Sequence, residues 1–420
     1  MSACASTQVI PSANDHFEGI AALTGGVGPA GVTAEAPTRI LIIHGMGTAS
    51  EHDFDSFIAN VADKFGVVQA PQPAEQDDVP CKEKPPGTLI PGLTVPKPEL
   101  IANAAALPAD WARLYVYKFT RPGEQHVVLT IGYLLWTPLT CHLKWTNDIR
   151  ETGHPARQYA AHWAKDFMRD KLTDVVLYVG AYRDQVIRPS IEAGLCRFID
   201  GSPGPNGACF GGDASTPTAV VTHSLGGYML MDAINDAAGV HLPDGTLSPD
   251  TAGTKLAKAT RYVYMMANQL PLLDLSTVET YPTNADAPPP SSAPPSAVPP
   301  YNPPPIERSI LRFARQLHNA QAAGHEKTMA AAHEIQVVAF SDPNDILSYL
   351  VSPDALDTGP SYAYLTNVYR GNGEFSIPLL FSDPEKAHTG YFENRVVLDL
   401  LVCGMKNGAV AQPCRTASKP

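Results

Sequence analysis

The 420-residue sequence lacks any long apolar run and any concentration of basic residues. No window of about 18 consecutive apolar residues exists, which argues against a conventional membrane-spanning helix. Only 30 Lys and Arg residues stand against 42 Asp and Glu residues, and the basic ones do not cluster. A nucleic-acid surface must neutralise a run of phosphates, so we expect no nucleic-acid partner.

Spacings typical of metal sites are also absent. None of the seven cysteines stands in a CxxC or CxxH pair, as structural zinc sites require. The pairs His325-Glu326 and His333-Glu334 do not form HExxH, the motif that places two zinc ligands one helical turn apart. We therefore expect no metal cofactor.

The sequence contains the residues of a dinucleotide-binding fingerprint, but without the strand and helix that this fingerprint needs on either side. Residues 26–31 match GxGxxG. That pattern cradles a pyrophosphate only where it follows a strand and opens a helix. Here no predicted strand precedes the glycines and the segment leads into one, so we expect no organic cofactor either.

The cysteines are consistent with a set of disulfides. They are Cys4, Cys81, Cys141, Cys196, Cys209, Cys403 and Cys414. Short separations favour Cys196 with Cys209 and Cys403 with Cys414, which leaves Cys81 for Cys141. Other pairings remain open. The alternative is a cytosolic protein with seven buried thiols.

The sequence around Cys4 resembles the end of a bacterial lipoprotein signal, in which the cysteine after a small-residue pair becomes the lipidated first residue. No hydrophobic stretch precedes Cys4, so the resemblance implies a trimmed, Met-started sequence. With Cys4 lipidated, six cysteines remain for three bridges in an oxidising compartment. We expect an exported, periplasmic or outer-membrane lipoprotein, tethered to the membrane through Cys4.

Along the chain, buried strands alternate with helices. Residues 1–36 are rich in small residues and are predicted to be an N-terminal tether, followed by a single domain over 37–420. Predicted strands cover 39–43, 115–119, 127–136, 174–180, 218–222, 261–267, 335–340 and 364–369, and predicted helices cover 52–64, 155–171, 183–199, 225–238, 306–323 and 392–402. Insertions are predicted at about 66–110, 199–216 and 284–305. This alternation predicts an α/β fold, a mostly parallel sheet with helices on both faces.

The strongest functional signal in the sequence surrounds Ser224. A buried strand ends just before this serine, and a helix is predicted from Leu225. This arrangement, with Gly226 two residues after the serine, resembles the nucleophile elbow of the α/β hydrolases, whose sharp turn requires small neighbours. Thr222, two residues before the serine, departs from the usual glycine. The resemblance implies that Ser224 is a nucleophile, the alternative being an ordinary loop serine.

A glycine-rich turn, His44-Gly45-Met46-Gly47, follows the first buried strand. It resembles the HG-type oxyanion loop of lipases and esterases. The resemblance implies that the backbone amides of Met46 and Leu225 hold the oxyanion. The alternative is a plain glycine turn after a strand.

The general base and its acid follow from the chain order of this family, which is serine, acid, histidine. His388, in a predicted loop before the last helix, has the right place, whereas His223 precedes the serine within a strand and points to the opposite face. Asp345, followed by two aliphatic residues, resembles the lipase pattern for the acid. Asp342 suits a turn cap but stays an alternative acid, and Asp274 is a third.

The resemblance covers residues 39–404 and implies an α/β-hydrolase fold with loop insertions. It implies a serine esterase or lipase that forms an acyl-enzyme on Ser224 from a small-molecule or lipid ester. A thioesterase, amidase or acyltransferase with the same triad is an alternative. From a different class, the alternative is a non-catalytic surface lipoprotein that uses the fold as a binding module.

Overall fold

A computed structural model of the chain describes residues 8–10, 16–25, 27–28, 31–32, 37–73, 90–102, 111–146, 165, 168–237, 248, 250–269, 335–351, 363–369 and 384–411. The predicted helix 306–323, the insertion 284–305, the third candidate acid Asp274 and the candidate lipidation site Cys4 lie outside these residues.

The strands are short at the chain's start and longer in the centre of the fold. They are β1 (Gln8–Ile10), β2 (Phe17–Glu18), β3 (Val27–Gly28), β4 (Gly31–Val32), β5 (Thr38–Ile43), β6 (Val68–Gln69), β7 (Glu99–Ile101), β8 (Ala112–Thr120), β9 (Val127–Leu135), β10 (Gly201–Pro203), β11 (Cys209–Gly211), β12 (Thr218–His223), β13 (Thr260–Met266), β14 (Ile335–Ser341), β15 (Ala363–Tyr369), β16 (Gly404–Lys406) and β17 (Ala409–Val410).

The helices lie mostly between the long strands. They are α1 (Asp55–Phe65), α2 (Pro138–Thr146), α3 (Thr173–Val179), α4 (Arg188–Phe198), α5 (Leu225–Ala237), α6 (Ala252–Ala259), α7 (Pro384–Thr389) and α8 (Arg395–Cys403). Short 3-10 turns cover Ile20–Thr24, Pro205–Gly207 and Gly390–Phe392, and π turns cover Met168–Leu172 and Arg183–Ile187. Within the described ranges, no helix is both long and apolar enough to span a membrane.

A ten-stranded sheet forms the centre of the fold, in the order β1-β15-β14-β13-β12-β5-β9-β8-β6, with β7 also paired to β8. The strands from β15 to β9 in this order are parallel to one another. Strand β8 is antiparallel to β9, and β1, β6 and β7 make antiparallel pairs at the edges. The predicted α/β class with a mostly parallel sheet is therefore confirmed.

The strand order reverses direction beside β5. From β5 the chain reaches β9 on one side, and it later places β12 on the other side. Connections that leave neighbouring parallel strands in opposite directions open a crevice at the strands' carboxyl ends, where ligands bind in open α/β sheets. The turns after β5 and β12 lie at this point.

Both faces of the sheet are covered, as the side chains of β5 illustrate. Leu41 and Ile43 belong to a core that includes residues of α4, α5 and α6. Ile40 and Ile42 belong to the opposite core, which includes residues of α1 and α8. Because successive strand residues alternate between faces, a strand buried on both sides is apolar throughout, and this explains the uninterrupted apolar run.

One predicted strand is wrong. Residues 174–180 form helix α3 rather than a buried strand. Asp174 and Tyr178, four residues apart, are buried, whereas Val176 is 66 % and Val179 45 % exposed. This spacing is that of an amphipathic helix. The valines on its exposed face give the segment the composition of a strand.

Part of the predicted tether, residues 16–25, packs into the fold. Phe17 is buried and its ring meets that of Phe340 edge-on, with centroids 6.5 Å apart. The Glu18 amide donates to Gln336 Oε1 over 2.7 Å. A buried aromatic ring and a hydrogen bond thus dock this segment, although its overall composition is that of a linker.

Two predicted insertions contribute strands. Within 66–110, β6 and β7 both pair with β8 and extend the sheet. Within 199–216, β10 and β11 form an antiparallel hairpin. The predicted Cys196–Cys209 disulfide is present at this hairpin and is confirmed. Cys141 and Cys403 are disulfide-bonded as well, and their predicted partners are outside the described residues.

Removing the Cys196–Cys209 disulfide should destabilise the fold. We expect the double variant Cys196→Ala, Cys209→Ala to lose about 2–3 kcal/mol of unfolding free energy, because the unfolded chain regains the entropy of the released loop. The link joins residues 13 apart. Guanidinium unfolding without reductant measures the change, with Ser202→Ala in the same hairpin as the control. Identical unfolding midpoints for the double variant and the wild type would contradict the expectation.

Glu192 of α4 makes stability depend on pH. Burial, with a smaller contribution from Asp236, raises its pKa from 4.5 to about 7. The folded protein therefore retains a proton that the unfolded chain releases, and this stabilisation is lost as the pH rises from 4.5 to about 7. We expect Glu192→Gln to raise the unfolding free energy by about 1–3 kcal/mol at about pH 8 and to have little effect at about pH 4.

Urea unfolding at the two pH values measures this effect, and the exposed Glu99→Gln variant is the control. A Glu192→Gln effect of equal size at both pH values would show that loss of charge is not its cause.

Candidate functional site

Ser224 occupies a strained turn between β12 and α5. It is one of a few non-glycine residues with a left-handed backbone, φ 53°, and its amide donates to the Met266 carbonyl over 2.8 Å. A Cβ atom on Gly226 would lie 2.4 Å from the His44 carbonyl oxygen, so only glycine allows α5 to approach the end of β5 this closely. Backbone strain of this kind persists where the surroundings enforce it, commonly at functional sites.

Thr222 fits the turn although the usual residue there is glycine. Its side chain is buried, and a Cβ on Gly227 would lie 3.0 Å from the Thr222 hydroxyl oxygen. A second glycine in the first turn of α5 therefore leaves space for the threonine.

His388 and Asp345, which are 43 residues apart, are in direct contact. His388 Nδ1 lies 2.9 Å from Asp345 Oδ2 and 3.0 Å from Oδ1. The carboxylate is fully buried and also accepts hydrogen bonds from the Leu347 amide and the Tyr391 hydroxyl. A buried carboxylate that accepts from Nδ1 fixes the imidazole orientation and favours the tautomer whose Nε2 carries no proton. His388 belongs to the short helix α7 rather than to the predicted loop.

Asp342, the alternative acid, has a different role in the structure. Its Oδ1 accepts hydrogen bonds from the amide and the side chain of Asn344, at 2.8 and 3.1 Å. Its own amide donates to the Tyr391 hydroxyl over 2.6 Å. Asp342 therefore shapes the turn that leads to Asp345, as an Asx turn does.

The Ser224 hydroxyl oxygen and the second ring nitrogen of His388 are buried. Within the described ranges, neither Ser224 Oγ nor His388 Nε2 has a hydrogen-bond partner, and they are not bonded to each other. Catalytic hydrogen bonds are often long in an empty site and shorten when the substrate is bound. Burying a hydroxyl and an imidazole nitrogen without hydrogen-bond partners costs folding free energy, unless a bound ligand supplies the missing hydrogen bonds.

The predicted oxyanion loop lies against the serine. A Cβ on Gly45 would stand 2.6 Å from Ser224 Cβ, so this position also requires glycine. In the described part of the chain, the amides of Met46 and Leu225 donate no hydrogen bond. Leu225 begins the 13-residue helix α5, whose amino end favours negative charge. Both amides are thus available to an oxyanion.

His44 holds the loop through its ring, a role that the sequence did not reveal. Its Nε2 accepts from the Trp136 amide over 3.1 Å, so the proton is on Nδ1, which donates to the Gly45 carbonyl over 2.7 Å. The Trp136 ring stacks on it at 4.8 Å and donates from Nε1 to the His44 carbonyl. This mutual contact fixes the direction of the chain at the end of β5.

A buried ion pair anchors the far side of the same loop. Asp174 accepts from the Gly47 amide over 2.7 Å and from Lys144 Nζ over 2.8 Å. Asp170 accepts from the Thr48 amide and hydroxyl at 3.1 and 2.6 Å. These carboxylates stand more than a hundred residues from the loop in sequence, so no spacing could have indicated them.

No cluster of three or more His, Cys, Asp or Glu side chains arranged for a metal occurs in the described ranges. Comparisons of the sequence and fold with protein-family models, curated proteins and solved structures find no match.

Proposed function

We propose that this chain is a serine hydrolase that cleaves carboxylic esters through an acyl-enzyme on Ser224. The observation that carries the proposal is a strained, unpartnered serine at the crevice of the sheet, next in the chain to His223, whose ring packs against the His388 of a buried His388–Asp345 dyad. A nucleophile, a base, an acid that orients the base, and two free amides are the groups that acyl transfer requires.

The topology supports the finer proposal of an α/β-hydrolase fold. The turn after β5 would supply one oxyanion amide, and the adjacent β12 ends at the serine. The acid follows β14 and the histidine comes last, which is the chain order of that family. Antiparallel β8 flanks the parallel strands on one side.

The mechanism follows from the positions of the groups. His388 Nε2 takes the proton of Ser224 Oγ as this oxygen bonds to the ester carbonyl carbon. The oxygen that becomes negative is held by the amides of Met46 and Leu225. The carbon–oxygen bond to the alcohol then breaks, and the alcohol leaves with the proton from His388. Water repeats the sequence on the acyl-enzyme, with His388 taking its proton, and releases the acid and free Ser224.

Thioesterase, amidase and acyltransferase activities use the same groups and differ in leaving group or acceptor. The test is turnover of one acyl group presented as a p-nitrophenyl ester, a thioester and an anilide, over several acyl lengths and with alcohol acceptors. We expect the ester to give the highest kcat/KM. Faster thioester or anilide cleavage would reassign the leaving group, and a folded protein that turns over none of these substrates would favour the binding module.

Export is part of the proposal. Disulfides are rare in reducing compartments, so the Cys196–Cys209 bridge supports a periplasmic or extracellular location. The lipid tether on Cys4 stays a prediction because that residue lies outside the described part of the chain. Mass analysis of the protein recovered from bacterial membranes would detect a diacylglyceryl group on Cys4.

A further inference from the structure

His223 directly precedes Ser224 in the chain and contacts two segments that surround the serine. It is the last residue of β12 and is buried. Its Nε2 lies 2.8 Å from the backbone carbonyl oxygen of His388. On the other side, a Cβ on Gly45 would stand 2.8 Å from its Nδ1. One ring therefore lies between helix α7, which would bear the base, and the loop that would bind the oxyanion.

The protonation of His223 follows from its partner. A carbonyl oxygen only accepts hydrogen bonds, so the proton of the ring must be on Nε2. Burial, reinforced by the nearby His388, lowers the pKa of His223 to about 3, so the imidazole is neutral at physiological pH. Nε2 is thus committed as a donor and is not available to take a proton from Ser224.

Aromatic packing fixes the direction of this donor. The His223 ring lies 5.0 Å from the ring of His388 and 5.5 Å from that of Phe392, with Tyr391 at 6.5 Å, measured between centroids. A ring enclosed in this way has few alternative rotamers, so its hydrogen bond is made at little entropic cost. The bond spans 165 residues and joins the central strand to the segment that carries the base.

We propose that His223 is a positioning residue, whose Nε2–H holds the His388 backbone so that the His388 imidazole stays in place for Ser224. This inference rests on the proposed function. Asp345 holds the His388 ring from one side and His223 holds the His388 main chain from the other, so the base is fixed at two points. Displacement of a catalytic group by about 1 Å can cost on the order of a hundredfold in rate.

The test compares His223→Phe, which keeps an aromatic ring without the donor, with His223→Gln, whose side-chain amide places an N–H near the position of Nε2. We expect His223→Phe to lower kcat for ester hydrolysis by about 10- to 100-fold with KM changed less than about twofold. We expect His223→Gln to recover kcat to within about fivefold of the wild type. Thermal unfolding midpoints check that both variants are folded.

Equal kcat values for wild type and His223→Phe would overturn the inference and leave the proposed function standing. Equal losses in the Phe and Gln variants would also overturn it, because packing rather than the donor would then be the cause. A wild type without turnover would overturn both proposals. Long-range ¹H–¹⁵N NMR of the wild-type histidines needs no variant, and a neutral Nδ1–H tautomer at His223 would refute the inference by itself.

Discussion

Replacing Ser224 by alanine is expected to lower kcat for ester hydrolysis by about 10⁴- to 10⁶-fold. Alanine removes the oxygen that forms the acyl-enzyme, so only binding and the free amides of Met46 and Leu225 remain to accelerate attack by water. The loss should appear in kcat, with KM changed little. Steady-state hydrolysis of a p-nitrophenyl ester, with active-site titration of the wild type, measures it.

Ser341→Ala is the matched control for this experiment. The Ser341 hydroxyl is also buried and without a hydrogen-bond partner among the described residues, but it lies at the end of β14 on an ordinary strand backbone. We expect this variant to keep kcat within about threefold of the wild type. If the kcat of Ser224→Ala equalled that of Ser341→Ala, Ser224 would not be the nucleophile.

Replacing Asp345 by asparagine is expected to lower kcat by about 10⁴-fold. The asparagine amide has nearly the same shape, but it donates toward His388 Nδ1 and so stabilises the tautomer with the proton on Nε2. That tautomer cannot accept the serine proton. The pH dependence of kcat, measured over the range in which the variant stays folded, checks the loss at every pH.

Asp342→Asn distinguishes the two candidate acids. Its Oδ1 accepts from the Asn344 amide, and an asparagine carbonyl oxygen can accept the same hydrogen bond. We expect this variant to retain kcat within about threefold. A larger loss in Asp342→Asn than in Asp345→Asn would reverse the assignment that His388 Nδ1 indicates in the structure.

The sequence predicted the local features of the site because these depend on short spacings. The strand, Ser224 and Gly226 lie within a few residues of one another, and the missing side chain of Gly226 is what the close approach of α5 to β5 requires. Chain order points to His388 and the aliphatic neighbours of Asp345 point to that residue, and the structure brings the two side chains into contact. Their catalytic roles stay predictions.

The contacts that support the site could not be predicted in this way. Trp136 stacks on His44 across 92 residues, and Asp174 reaches the Gly47 amide across 127. Such pairs are set by strand order, which no local pattern encodes. The sequence predicts a strand where helix α3 lies, because a short apolar run does not distinguish a buried strand from a helix with exposed valines.

The most direct test of the central claim is the site of covalent modification by a fluorophosphonate. Wild-type protein is treated with the reagent, digested and mapped by mass spectrometry, alongside Ser224→Ala and Ser341→Ala. We expect one phosphonyl group on Ser224 in the wild type and in Ser341→Ala, and none in Ser224→Ala. An unmodified wild type, or an adduct on another serine that persists in Ser224→Ala, would contradict this expectation.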